Sequence, residues 1–95
     1  MAKYVCEFGS VISAGQKIIE AANDLTNAAN TYSSKIESDL AGWSGEAKSS
    51  FSATCTSQVQ ATLAKAAEIS AFGEFVVKAA QSIQQLDDQL ASLSI

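Results

Sequence analysis

Histidine, proline and arginine are all missing from this chain of 95 residues. Without histidine, the usual general base, nucleophile activator and metal ligand is gone. Without proline, nothing breaks a helix from within. Six lysines against ten acids leave a net charge of −4, which argues against nucleic acid as a partner, because phosphate neutralisation needs clustered cations. Large apolar side chains are also scarce. The chain is 47% hydrophobic, yet much of that is alanine and only seven residues are aromatic. Such a composition can line a helix stripe but cannot fill a large interior, and 95 residues make one domain.

No run of residues approaches the ~18 apolar positions of a membrane span, so stable membrane insertion is not expected. Glu7, Gly9 and Ser10 interrupt what a cleaved leader would need as an apolar stretch after Lys3. Taken alone, that pattern reads as cytoplasmic. The two cysteines make no framework. If the chain folds back near residue 44, Cys55 comes level with about Ser33 and Cys6 with about Ser82. At ~1.5 Å per residue they are then roughly 40 Å apart, far beyond the ~7 Å that a disulfide spans. Cys55 is expected as a small buried hydrophobe and Cys6 as a terminal thiol.

Acid chemistry finds no pairing either. Asp87 and Asp88 are adjacent, and neighbouring helix residues do not face one another. Glu37 and Asp39 fail for the same reason, and Gly42-Trp43-Ser44-Gly45 lacks the lysine and preceding strand of a phosphate loop. The expectation is a protein that is not an enzyme, with no cofactor and no metal.

What the chain has is helical periodicity. Tyr4, Phe8, Val11, Gly15, Ile18, Ala22, Leu25, Ala29, Tyr32 and Ile36 alternate spacings of four and three, the a/d register of a coiled coil. A second row, Val5, Ile12, Ile19 and Leu40, runs beside it at multiples of seven. After the midpoint the alternation resumes from Phe51 and Cys55 through polar Gln58, Thr62 and Lys65. It then continues cleanly through Ile69, Phe72, Val76, Ala79, Ile83, Leu86, Leu90 and Leu93. Two stretches strain this picture: Asn23–Ser34, rich in cap formers, and Gly73 before Phe75-Val76-Val77. The register passes through both without a phase shift, so both helices are read as continuous. Gly73 would cost ~1 kcal/mol relative to alanine, unless Gly15 and Gly73 serve the close approach of another helix.

The predicted architecture is all-α: a helix over about 5–41, a turn at 42–45, and a second helix over about 46–90 with a frayed tail. Gly42 is expected to close the first helix in a left-handed conformation, and Ser44 to cap the second, with Glu46 in its first turn. Asp87 and Asp88 oppose the negative end of the helix dipole, which predicts fraying beyond about residue 86. The apolar faces are wider than a two-helix seam requires, so pairing of two hairpins into a four-helix bundle is expected. Phe8, Ile12, Ile19, Leu25, Ile69, Phe72 and Val76 are the candidate dimer seam.

At the turn stands Trp43-Ser44-Gly45, followed by Ala47 and Phe51: Trp-x-Gly-x-Ala-x-x-x-Phe at the centre of a short two-helix chain. Over its whole length the chain resembles the Trp-X-Gly (WXG) family of small ESAT-like proteins, handled by type VII secretion systems of Gram-positive and mycobacterial bacteria. The resemblance implies a protein secreted without a cleaved signal peptide, or a companion that is co-secreted, in virulence or interbacterial competition. It also implies homodimers or heterodimers with another WXG-like or larger toxin-type protein, and recognition of Trp43, Gly45, Ala47 and Phe51 by a partner or the secretion ATPase. Trp43 has a structural reading too, capping the tip against Phe51. The family's C-terminal signal, Tyr-x-x-x-Asp/Glu, has only a degenerate equivalent in Ile83-x-x-x-Asp87. Either a family partner supplies the signal, or Ile83 belongs to the seam and Asp87 to the solvent. The alternative function is a cytosolic coiled-coil adaptor unrelated to secretion. A membrane-active helical pair, drawing on Phe72, Phe75, Val76 and Val77, is disfavoured by the scarcity of basic residues.

Overall fold

The computed structural model describes residues 7–93. They form two helices packed against each other as a hairpin, with no strand among them. The first, α1, runs Phe8–Asp39, and a single 3-10 turn, Leu40–Gly42, closes it. The second, α2, runs Glu46–Leu93, 48 residues without a break. The result is a rod of 76 × 16 × 14 Å. Asn23–Ser34 is helical throughout, as is the stretch around Gly73. Thr62 adapts to its helix by donating its hydroxyl to the Gln58 carbonyl one turn back, at 3.0 Å. The first helix begins at Phe8; its expected start at about residue 5, and Cys6, lie outside the described residues.

The contact between the helices is made by their smallest residues. Gly15, Ala22 and Ala29 are the buried positions of α1, and Ala66, Gly73 and Ala80 those of α2, each set spaced by seven. At the glycines the two backbones touch. A Cβ placed on Gly73 would lie 2.8 Å from the Gly15 carbonyl oxygen and 2.8 Å from Ile19 Cγ1. One on Gly15 would lie 2.7 Å from Val77 Cγ2 and 3.0 Å from the Gly73 carbonyl oxygen. In α1 the a/d register is therefore present, with its small members at the centre of the seam and its large ones on the flank; in α2 the line of contact is Ala66, Gly73 and Ala80, none of them in the expected row, so Ile69, Phe72, Val76 and Ile83 stand to one side of it. Among the described residues, Leu40 is the only buried hydrophobic residue larger than alanine. Stability here comes from many close backbone contacts and half-covered side chains, each worth little.

Gly15 faces Gly73 and Ala29 lies beside Val59, so the numbers of facing residues sum to 88. Cys55 is then level with Ser33 and is half-buried rather than buried. Phe8 is level with Ala80, and α2 continues thirteen residues past that level. The tail does not loosen at residue 86 as expected from Asp87 and Asp88: it is helical to Leu93, with every position from 81 to 93 exposed. A helix dipole term of ~0.3–1 kcal/mol per carboxylate is spread over a long helix whose hydrogen bonds are already propagating.

The glycine contact reverses the usual sign of a helix-propensity substitution. Gly73→Ala should destabilise the protein by about 1–3 kcal/mol in thermal or urea unfolding, because the backbone oxygen it meets cannot move aside as a side chain can. Gly9→Ala, with nothing within 4 Å of the added Cβ, should instead raise stability by up to ~1 kcal/mol.

Candidate functional site

The tip of the hairpin is built by a short sequence of backbone events. The Trp43 N–H donates to the Leu40 carbonyl at 2.9 Å, which ends the 3-10 turn, and Trp43 itself is extended. Gly45 then takes φ +87°, the only positive φ among the described residues. Its carbonyl accepts the first bond of α2 from the Ser49 N–H, at 3.2 Å. Gly45, not Ser44, therefore stands at the cap position, and Gly42 does not take the left-handed conformation expected of it. The chain tightens into a 3-10 turn at Leu40–Gly42, and the reversal is completed three residues later, where a Cβ would be strained.

This path sets Trp43 beside Phe51. Their ring centroids are 5.9 Å apart and the planes are tilted by 35°, within the range of favourable aromatic pairs. Both remain wet: Trp43 is 52% exposed and Phe51 46%. With Ile36, Asp39 and Leu40 they line a shallow notch of about 260 Å³. Leu40, only 4% exposed, is the floor beneath the tip. The sequence signal for Leu40 was its place in the second apolar row, but nothing marked it as the residue on which the tip rests. Ala47 is exposed in the first turn of α2 and takes no part in the ring pair.

One side of the rod continues from this tip as an apolar face. Ile18, Leu25 and Tyr32 follow the buried residues of α1 by three, and Ile69, Val76 and Ile83 follow those of α2 by three. In an antiparallel pair the same offset turns to the same side of the hairpin, at about 60° from the seam. Tyr32 and Thr62, both at this offset, line one groove. Phe72, 58% exposed, stands on that side as well. The charged residues Lys17, Glu20 and Asp24 of α1 project from its far side, as do Glu74 and Lys78 of α2 on the helical wheel. From Ile69 to Leu86 this face carries no charge.

The candidate seam residues do not share one face. Leu25, Ile69, Phe72 and Val76 belong to the face just described. Ile12 and Ile19 lie on the opposite flank, where Ile19 closes over Gly73. Phe8, half-buried, sits near the contact line at the level of Ala80. Ile83 and Asp87, one helical turn apart, are both exposed on the tail. Two ion pairs, Lys35–Asp39 at 4.0 Å and Lys65–Glu68 at 3.5 Å, are well exposed and contribute little. Among the described residues no cluster of acids and cysteines has the arrangement of a metal site, and no helix is long and apolar enough to cross a membrane.

No family model matches this chain, no curated protein matches it, and no solved structure matches it.

Two substitutions distinguish the glycines of the tip. Gly45→Ala should cost about 1–2 kcal/mol of unfolding free energy because alanine must enter a positive φ, whereas Gly42→Ala should stay within ~0.5 kcal/mol. A double-mutant cycle with Trp43→Ala and Phe51→Ala should give a coupling of about 0.5–1.5 kcal/mol.

Proposed function

We propose that this hairpin is a protein-binding module of the Trp-X-Gly kind, exported or co-exported as a helical dimer through a type VII secretion system. The observation that carries this is the half-exposed Trp43–Phe51 pair at the tip, on a rod that also exposes an apolar row free of charge from Ile69 to Leu86. Large amphipathic rings beside a wet notch suit an anchor for a partner.

Size supports the same view. From residue 8 to residue 36 the face runs roughly 40 Å at ~1.5 Å per residue. Over a rod 16 Å wide that is roughly 650 Å² before the tail of α2 is added, close to the ~800 Å² that each partner gives to a standard interface. A hairpin whose centre is glycine and alanine gains little from its own burial and more from covering this face. The partner is a second hairpin, identical or different, or the helical domain of a larger toxin-type protein. Trp43 and the notch beside it engage the secretion ATPase or the partner. Ile83 and Asp87 form a degenerate signal on a tail that stays accessible.

Trp43→Ala, and separately a chain lacking residues 83–95, should each reduce export to the culture medium by at least tenfold in a type VII-competent host. Helicity by circular dichroism should be retained. Undiminished export of both variants would overturn the assignment to secretion.

A further inference from the structure

We propose that the notch beside Trp43 is the seat of an arginine side chain supplied by a protein other than a second copy of this chain. This deepens the reading above, and rests on it only in requiring that the tip engage a partner. The notch is lined by two aromatic rings, two aliphatic side chains and one carboxylate, that of Asp39. Its volume of about 260 Å³ lies below the ~300–1,000 Å³ of pockets that take drug-sized molecules. A single long side chain is the occupant of matching size.

Charge selects among side chains. Asp39 is the last residue of α1, and no basic residue stands in that helix's last turn. The carboxylate and the negative end of the helix dipole therefore act together at the notch, and both favour a cation. Asp39 already pairs with Lys35, but at 4.0 Å and with both side chains well exposed. A lysine four residues before its acid is also the weaker order for such a pair. Lys35 thus leaves the carboxylate open to a better partner. An aliphatic occupant would strip water from the carboxylate and return nothing, and an anionic one would meet a like charge.

The rings select the kind of cation. With the centroids of Trp43 and Phe51 5.9 Å apart, one cation lies within the ~6 Å attractive range of both. A guanidinium is planar, stacks on aromatic faces, sheds water more readily than an ammonium and meets a carboxylate through two parallel N–H bonds. An ammonium offers a point charge alone. Arginine therefore satisfies the rings and Asp39 at once. The chain has six lysines and no arginine, so the guanidinium belongs to a different protein.

The test titrates the full chain with the peptide acetyl-Gly-Ser-Arg-Ser-Gly-amide and follows the indole N–H of Trp43, the single tryptophan, by NMR. Parallel titrations carry citrulline, lysine or leucine in place of the arginine. A saturable shift is expected for the arginine peptide, with a Kd of about 1–10 mM, the strength of a few contacts. Citrulline, the neutral isostere, and leucine should bind at least about fivefold more weakly, and lysine about threefold. Asp39→Asn also relieves the end of α1 of a carboxylate, so the fold is not at risk. It should weaken the arginine peptide about fivefold, and Phe51→Leu, which keeps apolar bulk without a ring, about threefold. Glu37→Gln removes the same charge from a residue outside the notch and should change binding by less than about twofold. The proposal is overturned by no saturable shift at about 50 mM peptide, or by citrulline, lysine or leucine binding as well as arginine. Full binding by Asp39→Asn or Phe51→Leu, or an equal loss in Glu37→Gln, overturns it too. A failed titration with the expected export defects refutes the arginine alone. The expected titration with undiminished export of both earlier variants refutes the secretion role alone.

Discussion

Contact between the backbones of Gly15 and Gly73 sets the distance between the two helices, and most of the other features follow from that distance. Where main chains touch, no side chain larger than a methyl group fits on the line between them, so the buried heptads are alanine and glycine. The larger residues are pushed to the two flanks. Ile18 and Ile19 straddle Gly73, and Val76 and Val77 straddle Gly15, each glycine serving as the socket for a pair of β-branched neighbours. Those pairs are half-buried, so they stabilise the hairpin and still present apolar surface outward. A wider seam filled with leucine would have consumed that surface internally.

The hairpin, its turn and the continuity of both helices were legible in the sequence. An unbroken spacing of four and three survives polar stretches and a central glycine, because helical hydrogen bonds propagate once begun and proline is absent. Which residues would face inward was not legible: in α1 they are the small members of the register, and in α2 they are Ala66, Gly73 and Ala80, outside the expected row. Periodicity reports that a stripe is apolar and gives no ranking by size, whereas close packing of two helices selects the smallest. Gly15 and Gly73 held that information as a pair, since each alone is only a weak helix position. The tip shows a similar division. Trp43 and Phe51 meet as their spacing suggested, yet the choice between Gly42 and Gly45 for the left-handed conformation depended on the 3-10 turn at Leu40–Gly42, which no single residue announces.

Tip and tail differ in how they are held. The tip is pinned by a 3-10 bond, an extended tryptophan, a glycine of positive φ and a leucine beneath. The tail runs past the level at which α1 begins and is helical to Leu93. An element of the first kind can present rings in a fixed geometry, and one of the second kind can accept whatever neighbour matches its row. Between them the row is polar at Gln58, Thr62 and Lys65 near the tip and free of charge from Ile69 to Leu86.

The make-up of the central seam has a mechanical consequence. The strip of small residues is not uniform, because the level of Gly15 and Gly73 has no room for a Cβ: moved by one heptad, an alanine methyl would be driven against the opposite backbone. The connection adds a second constraint, since the five residues between Leu40 and Glu46 leave no slack for a shift of seven. Register is thus fixed twice, at the tip and near the open end, and a few residues inserted at the tip would leave the glycine pair still resisting a slide.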